Sequence, residues 1–138
     1  MKVYAIRKVL VVDDDEWVHS GIASVLEEHF DPMIEVVGAF TAQAGFSAFF
    51  SEAPDIVFVD IHFGEDNTDG IELLQRVKRI GATSKIPFVL FSDRDSLSDQ
   101  LAGLDEESMP DDFLSKPLPE SELVAKIRQW DRDRKSVV

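Results

Sequence analysis

Short apolar runs rich in β-branched residues alternate along the chain with longer segments whose apolar positions recur at helical spacing. That alternation predicts a parallel sheet covered by helices. Strands are expected at Val9 to Val12, Ile34 to Val37, Ile56 to Val59, Pro87 to Phe91 and Phe113 to Leu114. Their nearly unbroken apolarity predicts burial on both faces. Between them, Val18, Ile22, Val25 and Leu26 share one helix face, and Phe46, Phe49 and Phe50 share another after a cap at Thr41. A third helix is expected to bury Ile71, Leu74, Val77 and Ile80 and to end at Gly81. Leu97, Leu101 and Leu104 form a weaker fourth stripe, and Leu123, Val124, Ile127 and Trp130 form a fifth. The pattern is (βα)5, an α/β fold, with one domain over residues 8–130 and tails at residues 1–7 and 131–138.

Composition narrows the partners. A chain of 138 residues suits one domain with a single ordinary core. The absence of cysteine excludes a disulfide framework and any Cys-ligated zinc site, which fits a reducing interior. The start, MKVYAIRK, has no apolar signal core, and no run approaches the ~20 apolar residues of a membrane span, so a cytoplasmic location is expected. With 14 Lys and Arg against 27 Asp and Glu, the formal charge is −13. That surplus opposes direct binding to nucleic acid or to an anionic membrane, whose affinities come largely from Lys and Arg.

The placement of the acid points to chemistry. Ligands of an open α/β sheet bind outside the carboxyl ends of its strands. The first strand ends in Asp13-Asp14-Asp15-Glu16, the third in Asp60 and the fourth in Ser92-Asp93, and Ser115-Lys116-Pro117 follows the fifth. Two unit charges ~4 Å apart repel by about 4 kcal/mol at an effective dielectric of about 20, so clustered carboxylates call for a counter-charge. Hard oxygen ligands without nearby His or Cys favour Mg²⁺, or Mn²⁺, over zinc. A nucleophilic carboxylate, a metal, a lysine and a hydroxyl together make a site that forms an aspartyl phosphate.

These residues, in this order, resemble the receiver domain of two-component response regulators over roughly Lys8 to Trp130. The resemblance implies a flavodoxin-like three-layer sandwich with a five-stranded parallel sheet of order 2-1-3-4-5. It implies phosphoryl transfer to Asp60 from a sensor histidine kinase or a histidine phosphotransfer protein. Asp13, Asp14 and Asp60 would hold the metal with the backbone carbonyl of His62, Asp14 binding directly. Ser92 and Lys116 would contact the phosphoryl group, and Lys116-Pro117 is a candidate cis peptide. Ser92 and Phe113 would be the switch that reports phosphorylation on the surface of the fourth helix, fifth strand and fifth helix, through which a homodimer could form. Such a domain is a switch whose chemistry is its own modification rather than an enzyme with a separate substrate.

The chain departs from the family pattern in three places. The loop from Ile61 to Asp69 is two residues longer than usual and adds Glu65 and Asp66. Asp93 stands where the family carries a small residue, and an anion there should repel phosphate or compete for the metal. Met109-Pro110 replaces the common Gly-Ala before the switch segment. These features support an alternative, a pseudo-receiver that binds partners without phosphorylation. A remoter alternative is a haloacid-dehalogenase-like phosphatase, since Asp13-Asp14-Asp15 satisfies its Asp-x-Asp; Trp17 then stands where that family has Thr or Ser. Without these partners, Asp13 to Glu16 would read as a helix cap and Lys116 as a surface lysine. His19 and His29 read as solvated helix residues, Trp17 and Trp130 as packing residues, and Asp111, Asp112 and Asp105-Glu106-Glu107 as solvated faces. The output is a stand-alone receiver or a longer protein that continues beyond Val138.

Overall fold

The computed structural model describes residues 4–61, 69–80, 86–92, 109–116 and 119–135. Its elements run β1 (Lys8–Val12), α1 (Glu16–His29), β2 (Glu35–Ala39), α2 (Ala42–Glu52), β3 (Ile56–Asp60), α3 (Asp69–Arg79), β4 (Phe88–Ser92), β5 (Asp112–Ser115) and α4 (Glu120–Lys135). Helix α4 is the one the apolar pattern counts as fifth. The Leu97, Leu101 and Leu104 stripe lies outside the described residues, as does Gly81.

All strand pairs are parallel, in the order β2-β1-β3-β4-β5, which is the flavodoxin-like arrangement. Alternation along the strands divides the core in two. Val9, Val11, Ile56, Phe58, Val89 and Phe91 pack with α1 and α4 residues on one face. Leu10, Val12, Val57, Val59, Phe88 and Leu90 pack with α2 and α3 residues on the other. Each fully buried side chain of this size contributes about 1.5–3 kcal/mol relative to exposure, so the central strands anchor both layers. The second strand begins one residue later than the apolar run suggests and reaches Ala39. It is an edge strand, so Val36 and Val37 are only half-buried.

The helix ends follow from side-chain caps. The Asp15 carboxylate accepts from Trp17 N at 2.9 Å, and Thr41 Oγ1 accepts from Ala44 N at 3.0 Å. Helix α2 approaches the sheet through Gly45, where a Cβ would lie 3.0 Å from Val12 and 3.1 Å from Leu73. That approach tilts its buried line onto Gly45 and Phe49, which corrects the expectation for Phe50: it is exposed and packs edge-on against Phe46 and Phe49. Ile80, expected in the core, is also exposed, because it lies just past the last residue of α3, while Leu73 is buried instead.

The terminal tails need a larger correction. Ile6 is fully buried, and helix α4 continues to Lys135. The buried Asp131 carboxylate accepts from Ala5 N at 2.6 Å and Ile6 N at 3.0 Å, with Lys135 Nζ at 3.0 Å. Arg134 likewise reaches the Asp55 carboxylate, which accepts from Arg7 N and Lys8 N. A buried amide left without its acceptor costs about 1–3 kcal/mol. Asp131→Ala is therefore expected to lower stability by about 2 kcal/mol, and Asp131→Asn, which keeps an acceptor, by less. Urea denaturation of the variants checks this, and equal stabilities would refute it.

Asp111 and Asp112 are not idle surface acids either. Asp111 accepts from Phe88 N at 2.8 Å and pairs with Lys78 at 3.2 Å. Asp112 pairs with Lys126 at 2.8 Å and accepts from Trp130 Nε1 at 3.2 Å. Both tie β5 to neighbouring elements, so part of the charge surplus caps backbone and holds helices. Asp105-Glu106-Glu107 lies outside the described residues.

Candidate functional site

Register brings the acids together. Val12 pairs with Val59 across β1 and β3, so Asp13 and Asp60 emerge side by side at the carboxyl edge of the sheet. Ser92 pairs with Ser115 across β4 and β5, and Lys116 N donates to Ser92 O at 2.9 Å, which starts the Lys116 side chain two strands from Asp60, with β4 between. Lys116 Nζ reaches back over the Phe91 ring, 5.0 Å from its centroid, to Asp60 Oδ2 at 3.1 Å and Asp13 Oδ2 at 3.2 Å. Burial by itself would lower the Lys116 pKa. The adjacent carboxylates of Asp60 and Asp13 outweigh it, and the ammonium is held above its ordinary value of 10.5.

Asp13 is fully buried, Asp60 nearly so, and Asp14 is exposed. One carboxylate oxygen from each lies within 4.8 Å of the others. Three carboxylates against the Lys116 ammonium leave an excess of negative charge. The donors are hard oxygens, and the open side at Asp14 leaves room for water or a phosphoryl oxygen. This donor set fits Mg²⁺ or Mn²⁺.

Gly70 sets how α3 meets this edge. A Cβ on Gly70 would collide with the backbone carbonyl of Asp60 and lie 3.0 Å from Ile61 Cα. The Asp69-Gly70 pair is thus where the first turn of α3 is seated directly on the end of β3.

The remaining expected residues divide into two groups. Ser92 is buried at the end of β4, and Phe113, paired with Leu90, is half-buried against the α2 and α3 side of the core. His62, Glu65, Asp66, Asp93 and Pro117 lie outside the described residues. Among the described peptide bonds, the cis one is Asp31-Pro32.

One of the two tryptophan expectations changes. Trp17 is 83% exposed rather than packed, and borders an apolar groove of about 470 Å³ lined also by Val18, Ile22, Val25, Lys116 and Leu123. It sits at the start of α1, two residues past the Asp15 cap. Trp130 does pack against the core. His29 is exposed, as expected, whereas His19 is half-buried and engaged. His29 Nε2 pairs with Glu120 at 2.7 Å, joining the end of α1 to the start of α4. His19 stacks on Phe40 with centroids 4.2 Å apart, and its Nε2 lies 2.7 Å from the Asp13 carbonyl oxygen. The available signal for His19 was Gly38, since a glycine inside a strand marks a close approach by another group.

Solved structures with this arrangement are numerous. The receiver domain of response regulator 1452 from Francisella is 27% identical, with 92% of this chain and 98% of that chain covered and a TM-score of 0.75. NtrX from Brucella abortus is 26% identical with a TM-score of 0.75; the match covers 93% of this chain but 27% of that one. A CheY-like receiver domain protein from Methanospirillum hungatei, 22% identical with a TM-score of 0.77, covers 97% of this chain and 100% of its own and supports the fold. Among the described residues, no helix is long and apolar enough to cross a membrane. The family model for the response regulator receiver domain matches residues 9–128, and with the strand order in agreement, the chain belongs to that family.

Proposed function

We propose that the chain is a phosphorylatable receiver in which Asp60 accepts a phosphoryl group from a phosphohistidine of a sensor kinase or phosphotransfer protein in the cytoplasm. The observation that carries this reading is the Lys116 ammonium held 3.1 Å from Asp60 within a three-carboxylate cluster. An Asp60 carboxylate oxygen attacks phosphorus, the P–N bond of the donor breaks, and the imidazole leaves with the electron pair and takes up a proton. Lys116 offsets charge on the phosphoryl oxygens, and the Ser92 hydroxyl donates to one of them. Asp13, Asp14, Asp60 and the His62 carbonyl would hold Mg²⁺, which supplies further charge neutralisation when bound. The new group brings nearly two negative charges and three acceptors, enough to draw Ser92 and Lys116 toward it and to bias the surface carrying Phe113, β5 and α4. That surface is where a homodimer would form.

Asp60 is favoured over Asp13 as the acceptor because Asp13 is fully buried, with Oδ1 accepting from Asp15 N at 2.8 Å and Oδ2 facing Lys116. This argues against the phosphatase reading. The pseudo-receiver reading draws on Asp93, Glu65 and Asp66, which add negative charge next to the site. Incubation with a small phosphodonor or beryllofluoride and Mg²⁺, followed by intact mass and Trp17 fluorescence, separates the readings. The expected result is one phosphoryl mass that disappears in Asp60→Asn. No mass gain under conditions that label ordinary receivers would establish the pseudo-receiver instead.

A further inference from the structure

Every polar group of Asp13 is engaged. Its N–H donates to Ala39 O at 3.1 Å, Oδ1 accepts from Asp15 N at 2.8 Å, and Oδ2 faces Lys116 Nζ at 3.2 Å. The carbonyl oxygen faces His19 Nε2 at 2.7 Å. A carbonyl can only accept, so Nε2 carries the hydrogen. The Asp13 carbonyl belongs to the peptide unit that leads into Asp14. Holding that oxygen fixes the plane from which the exposed Asp14 carboxylate projects toward the cluster.

The histidine is itself held. Its ring stacks on Phe40 at 4.2 Å and lies over Gly38, where a Cβ would come within 2.6 Å of Nδ1. Nδ1 is buried and has no hydrogen-bond partner among the described residues. A buried, unsatisfied nitrogen is costly, so the arrangement is not what packing alone selects. The compensating contact is the short bond to Asp13.

We propose that His19 is a positioning residue for the metal-binding acidic pair: its Nε2–H pins the Asp13 carbonyl and thereby presets Asp14 for the cation. The inference rests on the metal-dependent reading above. It assigns a role to the second turn of α1 that neither the acids nor the phosphoryl contacts supply.

The test compares the whole chain with His19→Leu, which fills the space without a donor, and His19→Gln, which returns an N–H near the position of Nε2. Mg²⁺ alone is titrated and followed by Trp17 fluorescence, phosphorylation is timed at saturating Mg²⁺, and thermal melts check folding. Groups behind metal ligands change affinity by about 10–100-fold, and a main-chain contact belongs at the low end. His19→Leu should therefore weaken Mg²⁺ binding about tenfold, with the saturated phosphorylation rate little changed and His19→Gln close to wild type. Phe40→Ala, which frees the ring without touching the site, should weaken Mg²⁺ binding by a smaller factor and serves if His19→Leu does not fold. Unchanged Mg²⁺ affinity in His19→Leu, or equal weakening in Leu and Gln variants of matched stability, overturns the positioning role while leaving the receiver reading intact. A wild-type chain that binds no Mg²⁺ overturns the metal-dependent reading, and the role of His19 with it.

Discussion

Lys116→Met is expected to destabilise the metal-free protein by about 3 kcal/mol, and to make its stability depend on Mg²⁺ more strongly than that of wild type. Methionine keeps an apolar stem over Phe91 but leaves Asp13 and Asp60 facing each other without the ammonium that lies 3.2 and 3.1 Å away. Removing one partner of a buried pair typically costs about 3–5 kcal/mol; the low end applies because the Lys116 side chain is 24% exposed and water can enter. A divalent cation then becomes the main counter-charge, and its binding adds stability by linkage. Denaturant midpoints with and without Mg²⁺ measure both effects. A variant as stable as wild type without metal would refute the assigned electrostatic role. The pH dependence has a definite sign. The Lys116 pKa is raised in the folded state, so its contribution is fully present below the ordinary value of 10.5 and is lost as pH rises through the higher folded value. The stability difference between wild type and Lys116→Met should thus stay constant from neutrality up to about 10.5 and shrink as pH rises from there through the folded value.

Gly70→Ala should cost about 2–3 kcal/mol and impair phosphorylation of Asp60, although the same change inside an exposed helix would gain about 1 kcal/mol. The sign reverses because the new methyl group meets backbone rather than a movable side chain: the Asp60 carbonyl and Ile61 Cα lie against it. Either α3 lifts from the sheet edge or the end of β3 shifts, and both move Asp60 relative to Lys116. Equilibrium unfolding together with the phosphorylation rate distinguishes this from helix stabilisation, which would raise the melting temperature and leave the rate unchanged.

Much of the fold was legible because its signals are local. The apolar runs marked all five strands of the sheet to within a residue or two at their starts, since buried parallel strands are apolar on both faces. Thr41 marked the start of α2 because its side-chain oxygen caps an amide three residues on. The errors came where a local pattern had to compete with its neighbours. Phe50 fits the helical face of Phe46 and Phe49, but the close approach at Gly45 turned it outward. Trp17 is of a type that usually packs inside, yet it is 83% exposed at the start of α1.

The charge surplus shows the same division. Carboxylates at strand ends announced a site from sequence alone, because in a parallel sheet those ends share one edge. That Asp13, Asp60 and Lys116 touch depends on register between strands, with Lys116 lying 103 and 56 residues from the two acids it joins. His19 over Gly38 and Asp131 beneath Ala5 and Ile6 were equally out of reach of pattern reading. The order of elements and the residue types at the strand ends are properties of the chain, read through short-range periodicity. Which carboxylate binds a lysine, which caps an amide and which is left facing solvent was decided only when the packed layers brought distant segments within hydrogen-bonding distance.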